Sequence, residues 1–117
     1  MKVLSLRQPY ASWVIQGKKT IELRSWNTKY RGELFIHASG KHSTLPTGAI
    51  LGSVELIGVK EYADEKQFLK DKDKHLAGDS WNLPFAKKPF KYGFILKNPK
   101  PLKKPIKTKG KLGIWEK

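Results

Sequence analysis

Short stretches in which apolar and polar residues alternate dominate the chain and predict a mainly β fold. Alternation with a period of two, as in residues 20–26 (TIELRSW), is typical of strands with one buried face. A longer apolar run at 49–62 contains Gly52 and Gly58, which predicts a strand bent or bulged at the glycines. The predicted elements are strands at 20–26, 33–38, 49–62, 92–96 and 112–115, a turn at 27–32, a loop at 39–48, an irregular segment at 78–89, and a proline- and lysine-rich edge or loop at 98–111.

Two short helices are predicted from the residues at their ends. After a short apolar start, Pro9 at a first helical position and Gly17 just past the last one bound the first helix. Asp64 followed by Gln67 resembles a capping box at the start of the second. The predicted helices cover 9–16 and 64–75. Several short strands with few helices indicate one α+β domain, mainly β, folded as a small β-barrel or a strongly curved sheet.

The charge of the chain indicates a polyanionic partner. The 117 residues include 24 Lys and Arg but only 10 Asp and Glu, which gives a net charge of +14. Residues 86–117 hold eleven Lys and one acid, Glu116. Because nearly all the cations are Lys, which lack the planar fork of Arg, we expect contacts to a nucleic-acid backbone, with Lys103, Lys104 and Lys107 as candidates. The alternative is a solvated Lys-rich surface, as in proteins from hot environments.

Several function classes are excluded by what the sequence lacks. The chain has no Cys, so disulfides, thiolate nucleophiles and iron–sulfur clusters are excluded. It contains no phosphate-binding glycine loop, no dinucleotide fingerprint and no zinc-hydrolase motif, so we expect no cofactor and no metal. No apolar run has the length of a membrane span, and the start lacks the pattern of a signal peptide. We expect a soluble, cytoplasmic protein with no membrane contact.

The three histidines are weak candidates for catalysis. His37 alternates with an apolar neighbour on its predicted strand, which is typical of a hydrogen-bonded barrel residue. His42 and His75 lie in polar stretches and are expected to be exposed. The alternative is that His37 and His42 form an acid–base pair of the kind that cleaves RNA.

The segment 17–24 brings opposite charges together. A Lys pair, Lys18 and Lys19, precedes a strand that carries Glu22 and Arg24 on one face. Such a group can hold the polar edge of a ligand, or lower the pKa of a buried Lys so that it acts as a nucleophile or base. The alternative is an exposed face on which Glu and Arg form an ion pair worth under about 1 kcal/mol. The residues alone leave both interpretations open.

Several strings occur along the chain in the order of one family. They are SLRQPYA at 5–11, GKKTIELRSW at 17–26, YRG at 30–32, IHAS at 36–39, GAILGSV at 48–54, KPI at 104–106 and KLGIW at 111–115. In these strings the chain resembles the ASCH domain, which is named for its homology to a transcriptional coactivator, and the resemblance covers nearly the whole chain.

This resemblance implies a single PUA-like β-barrel domain over residues 1–117, with one or two flanking short helices. It also implies a cleft beside the first helix, used for RNA binding or catalysis. Trp26 is our candidate for stacking on a base, whereas Trp13 is expected in the core. The residues expected to contact nucleic acid are Ser5, Arg7, Gln8, Lys18, Lys19, Arg24 and Trp26, together with Lys103, Lys104 and Lys107.

The resemblance favours a nucleic-acid-binding domain, with RNA preferred to DNA. One alternative is an amidohydrolase that acts on N4-acylated cytidine nucleosides, as a bacterial branch of the family does, with Lys19 as nucleophile or base and Glu22 as proton shuttle. That branch has Thr at the position of Glu22, and its more distant Glu corresponds here to Glu61 or Glu65. The modified nucleoside would then be the substrate. A further alternative is a ribonuclease.

Overall fold

The structure, a computed structural model, describes residues 1–78, 80–82 and 91–117. Six strands and three short α-helices are found in this part of the chain. In chain order they are β1 (Lys2–Arg7), α1 (Tyr10–Ile15), β2 (Ile21–Arg24), β3 (Gly32–Ser39), β4 (Ala49–Glu61), α2 (Glu65–Lys70), α3 (Lys72–His75), β5 (Tyr92–Lys107) and β6 (Ile114–Glu116). A 3₁₀ turn covers Ser80–Asn82, and the rest of the segment predicted to be irregular lies mostly outside the described residues.

The six strands form one sheet in the order β2-β5-β4-β3-β1-β6. β1 runs parallel to β3, and the other neighbouring pairs are antiparallel. The mainly β class is confirmed. Within the described residues no strand ladder joins β2 to β6, so hydrogen bonds do not close the predicted barrel completely.

Both glycines of β4 mark irregularities, as predicted. The register of β4 against β5 shifts between Ile50 and Gly52 and again between Leu56 and Gly58. A Cβ atom on Gly52 would lie 2.9 Å from the Cα of Pro101, so only glycine permits this approach of the two strands. The bulges let one long strand bend with the curved sheet.

β5 is longer than its sequence predicts. The strand continues from the predicted 92–96 through the lysines and prolines to Lys107, so up to that residue the predicted edge or loop at 98–111 is an edge strand. β2 pairs only with the first part of β5, from Tyr92 to Ile95, so the second part has β4 as its single partner. Proline is tolerated there because an edge strand leaves one row of N–H groups unpaired.

The helices differ from prediction in their details. Pro9 is the residue before α1 rather than its first turn, and Gly17, with a φ of +77°, follows its end. The second predicted helix is divided at Asp71 into α2 and α3. The Asp64 carboxylate accepts a hydrogen bond from the Gln67 N–H at 2.9 Å, as in the predicted capping box, and the Gln67 side chain accepts from the N–H of Ala63, one residue before Asp64, at 3.0 Å.

The core lies between α1 and the sheet. Its residues include Leu4, Val14, Leu34, Ile36 and Phe94, all nearly or fully buried. A second apolar cluster packs α2 against β2 and contains Ile21, Leu23, Tyr62 and Phe68. No helix in the described ranges is long and apolar enough to cross a membrane.

Trp13 is not in this core, contrary to prediction. The indole is half-buried, lies edge to face with Tyr10 at 5.6 Å between ring centroids, and has the Lys18 Nζ 4.9 Å above it. The (i, i+3) spacing on α1 therefore produces a surface aromatic pair, and the helix buries its other side.

Candidate functional site

A cavity of about 1100 Å³ opens beside α1, between β1, β2 and the segment that follows β5. Most of its polar lining comes from the first 40 residues and from residues 107–113, which the fold brings together. The lining residues are Ser5, Leu6, Arg7, Tyr10, Lys19, Glu22, Leu23, Arg24, His37, Ser39, Gly40, Gly48, Ala77, Ser80, Lys107, Thr108, Lys109, Gly110, Lys111, Leu112 and Gly113.

Lys19 is buried in the lining of this cavity, with 3% of its surface exposed. The chain turns sharply after α1, where the N–H groups of Lys18 and Lys19 both donate to the Trp13 carbonyl at 2.9 and 3.0 Å. The Lys19 Nζ donates a hydrogen bond to the backbone carbonyl of His75 and lies 3.5 Å from the Glu22 carboxylate. Two elements distant in sequence therefore hold this amine.

Glu22 lies between two cations. Its side chain and that of Arg24 point to the same side of β2 because they are two residues apart. The Arg24 Nη2 atom lies 3.0 Å from the Glu22 carboxylate and donates to the Ser5 carbonyl at 2.8 Å. The Nε of Arg24 is buried and has no hydrogen-bond partner in the part of the chain that the structure describes. The ion pair expected from the sequence forms, but on a largely buried face beside a cavity.

Opposing influences act on the Lys19 amine. Burial lowers the pKa of Lys19 because the charged ammonium loses water, and the positive charge of Arg24 lowers it further. The carboxylate of Glu22 raises this pKa, yet the net direction is downward. The amine is therefore more readily deprotonated than an ordinary surface lysine.

A second polar cluster joins β1, β3 and β6 at the wall of the cavity. The Oγ of Ser5 lies 3.1 Å from the Nδ1 of His37, and the Trp115 Nε1 donates to the same Oγ at 3.1 Å. The Nε2 of His37 lies 2.8 Å from the Thr108 carbonyl, which can only accept. Nε2 must therefore carry the proton, and Nδ1 accepts from Ser5. His37 is buried with both ring nitrogens hydrogen-bonded, as predicted.

Gly110 packs directly on this cluster. A Cβ atom at this position would lie 2.7 Å from both the His37 Cε1 and the Ser5 Oγ, so any larger residue would push the segment after β5 away. This close approach fixes residues 108–113 against the cavity wall.

His75 is fully buried, and the expectation that it is exposed is wrong. The Nε2 atom lies 2.9 Å from the Phe68 carbonyl, while Nδ1 accepts from the Ala77 N–H at 3.0 Å. The ring also stacks on Phe68 at 4.2 Å between centroids, because the apolar stripe of α2 covers it. Burial lowers the pKa of His75, and the charge of Lys19 acts in the same direction. The neutral imidazole of His75 is therefore held by hydrogen bonds at the point where the backbone carbonyl of His75 accepts from Lys19.

His42 is exposed, as predicted, and accepts hydrogen bonds from the N–H groups of Thr44 and Leu45. It is not among the residues that line the cavity, whereas His37 is. The structure therefore places the two histidines of the alternative acid–base pair in different surroundings.

Asp71 fastens α2 and α3 to the sheet. Its buried carboxylate accepts from the Tyr62 hydroxyl at 2.6 Å and from the Lys60 Nζ at 2.9 Å. Burial alone would raise the pKa of Asp71, but these two hydrogen bonds more than offset it and the pKa is lowered. Burial and the hydrogen bond to this carboxylate also raise the pKa of Tyr62. Asp71 thereby positions α3, whose last residue holds Lys19.

The cavity brings together about half of the residues predicted for the site. Those that line it are Ser5, Arg7, Lys19, Glu22, Arg24 and Lys107. Those that do not are Gln8, Lys18, Trp26, Lys103 and Lys104.

Gln8 and Trp26 have internal partners instead. The Gln8 amide donates to the Ser12 hydroxyl and to the Pro46 carbonyl, both at 2.8 Å, and accepts from the Ser12 N–H. Trp26 packs against the main core, edge to face with Phe94 at 5.3 Å. Both residues therefore support the frame around the cavity.

Lys103 and Lys104 are exposed on β5, away from the lining, and Lys18 lies over Trp13. Neither Glu61 nor Glu65 lines the cavity. Glu61 accepts a hydrogen bond from Tyr92. Within the described lining Glu22 is the single carboxylate.

The sequence did not single out the segment that follows β5. Lys109, Lys111 and Leu112 line the cavity, and Thr108 binds His37. The only indication was a lysine at every second position, 107, 109 and 111, within the basic last third of the chain. Its position depends on the pairing of β5 and β6 with distant strands.

The ASCH domain model matches residues 4–105. The chain is 31% identical over 137 aligned positions to activating signal cointegrator 1 of Homo sapiens and 30% identical over 138 to that of Mus musculus, covering 97% of this chain in each case. It spans about a fifth of the length of these relatives, 22% in both.

Solved structures share the fold. The crystal structure of ASCH from Zymomonas mobilis matches with a TM-score of 0.72 and 21% identity, over 91% of this chain and 72% of that one. A single-residue variant of the same protein gives a TM-score of 0.71. The family match covers most of the chain, and the sheet agrees with these structures. The chain belongs to the ASCH domain family.

Proposed function

We propose that this domain binds nucleic acid, RNA in preference to DNA, in the cavity beside α1. One observation carries the proposal. Among the lining residues that the structure describes, six side chains are cationic and one, that of Glu22, is a carboxylate. The cations are Arg7, Lys19, Arg24, Lys107, Lys109 and Lys111. Such an excess of positive charge in a concave surface concentrates a polyanion.

The β2 residues of the cavity and the lysines at 107–111 suit different parts of a nucleotide. Glu22 can accept from an exocyclic amino group or a ring N–H, and the guanidinium of Arg24 can donate to an acceptor. Lys107, Lys109 and Lys111 are exposed at the outer side and suit phosphates, which carry no sequence information. We therefore assign selectivity to the β2 residues and general affinity to the lysines.

Charge reversal of the outer lysines tests this assignment. In a variant that carries Lys107→Glu, Lys109→Glu and Lys111→Glu, we expect weak RNA binding and a flatter dependence of log affinity on log salt. The slope should fall by about 0.7 to 0.9 for each phosphate that the variant no longer neutralises. Fluorescence anisotropy with single-stranded and duplex RNA and DNA, from about 50 to 200 mM salt, gives the slopes.

The matched control reverses three exposed lysines outside the cavity, Lys66, Lys70 and Lys72 on α2 and α3. It should keep the native affinity far better than the cavity variant. Native affinity that is indifferent to salt, or equal effects of both variants, would contradict the proposal. Tighter binding to DNA than to RNA of the same sequence would overturn the preference.

The amidohydrolase is a second candidate because of Lys19. Its amine is buried beside a cavity large enough for a nucleoside, and its pKa is lowered. The Glu22 carboxylate and the His75 carbonyl both stabilise the protonated amine, however. We therefore expect little or no acetate release from N4-acetylcytidine. Turnover by the native chain that disappears in Lys19→Ala would make the enzyme the better assignment.

A further inference from the structure

Leu112 is an apolar side chain that the fold leaves almost wholly in water. It is 98% exposed, whereas Ile57, the next most exposed large apolar residue in the described chain, is 45% exposed. It also lines the cavity and follows Lys109 and Lys111 on the same segment. An isolated exposed leucine is common on proteins, but this one stands at the mouth of a cationic cavity.

The segment that presents Leu112 is fixed rather than free. The Thr108 N–H donates to the Gly48 carbonyl at 3.0 Å, and the Thr108 carbonyl accepts from His37 at 2.8 Å. Gly110 packs on His37, and Ile114 pairs with Leu4 at the start of β6. Because the segment is held at both ends and near its middle, ordering Leu112 on binding costs little extra conformational entropy.

We propose that Leu112 packs against unpaired bases of the strand bound in the cavity, as an apolar wedge next to the nucleotide that enters it. This inference rests on the proposed function and adds a contact to it. Lys109 and Lys111 would hold the phosphates on either side of the base that Leu112 contacts. Apolar side chains that unstack bases in this way are a known means of shaping bound nucleic acid.

Charge complementarity favours a nucleic acid over a membrane as the occupant. The cations near Leu112 line a concave cavity, which suits a chain of phosphates more than a flat layer of headgroups. A single leucine also offers little apolar surface for insertion into lipid, where stable attachment needs more than one anchor.

The experiment compares Leu112→Ala with Ile57→Ala. Ile57 lies on β4 and does not line the cavity, so it controls for the loss of an exposed apolar side chain. We expect Leu112→Ala to bind single-stranded RNA about tenfold more weakly, from the loss of most of the apolar area buried by a leucine, and Ile57→Ala to match the native chain. The salt dependence should keep its slope, because no charge changes.

A second readout reports on the bases directly. RNA that carries 2-aminopurine should become brighter when the native chain unstacks it, and Leu112→Ala should lose this increase even at saturating protein. Leu112→Phe should retain it. Since Leu112 is exposed, thermal unfolding of both Leu112 variants should match that of the native chain.

The outcomes separate this inference from the proposed function. Salt-dependent RNA binding with an unchanged affinity and 2-aminopurine signal in Leu112→Ala would overturn the wedge and leave the proposed function standing. No RNA binding by the native chain would overturn both. Binding to phosphatidylserine vesicles that is lost in Leu112→Ala, with unchanged RNA affinity, would assign the leucine to a membrane instead.

Discussion

Replacing Arg24 with alanine is expected to weaken binding to the preferred RNA by roughly 10- to 150-fold, and binding to random RNA by much less. Arg24 connects Glu22 to the Ser5 carbonyl, so the change removes two charge-assisted hydrogen bonds and the guanidinium offered to the ligand. A hydrogen bond to a charged group is worth about 1.5–3 kcal/mol, which gives this range. Competition between a selected RNA and a random pool measures both losses.

Arg31→Ala is the matched control. Its guanidinium donates to the carbonyls of Thr28 and Tyr30 in an exposed turn and does not line the cavity. Arg24→Lys keeps the charge but not the planar fork, so it should restore binding to random RNA more than to the selected RNA. Equal losses of affinity for both RNAs in Arg24→Ala would show that Arg24 adds only general positive charge and no selectivity.

Asp71→Ala should lower the free energy of unfolding by about 3 kcal/mol, within the range seen when one partner of a buried charged contact is removed. The change leaves the buried Tyr62 hydroxyl and the Lys60 amine without their acceptor. Because Asp71 lies between α2 and α3, the cost should fall on the packing of both helices on the sheet. Urea unfolding at neutral pH measures it.

Asp73→Ala provides the control, since Asp73 is exposed on α3, two residues away. Its unfolding midpoint should stay close to that of the native chain. Asp71→Ala should also loosen the carbonyl of His75 that holds Lys19, so its RNA affinity should fall even where the chain is fully folded. A native-like stability in Asp71→Ala would show that the carboxylate is not what fastens the helices.

Most of the strands could be predicted because local patterns determine them, whereas β1 appeared in the sequence only as a short apolar start. Alternation identified β2 and β3, and the glycines identified the bulges of β4. For the second part of β5 the sequence left an edge and a loop as alternatives, since its prolines and lysines oppose strand formation locally. Pairing with β4 overrides that preference, and the single partner makes proline acceptable.

The same distinction between local patterns and contacts with distant residues applies to the candidate site. Lys19, Glu22 and Arg24 are close in sequence, so their proximity follows from one turn and one strand. The burial of His75 could not be read from its polar neighbours, because Phe68 and the carbonyl that binds its ring belong to α2. The position of Leu112 depends on contacts more than 70 residues apart in the chain, such as that between His37 and Thr108.

The contact between Lys19 and the carbonyl of His75 joins the sheet to the chain segment between β4 and β5. β4 and β5 pair with each other along their length, so the sheet does not need the chain that connects them to keep its register. The helices α2 and α3 of this connection are packed on the sheet and cannot change freely, whereas lengthening a flexible loop costs only about 0.6 kcal/mol for each doubling of its length. Within one family, insertions beside these helices are therefore an inexpensive evolutionary route to a different environment for the lysine, while strand β2, which carries Glu22 and Arg24, stays in place.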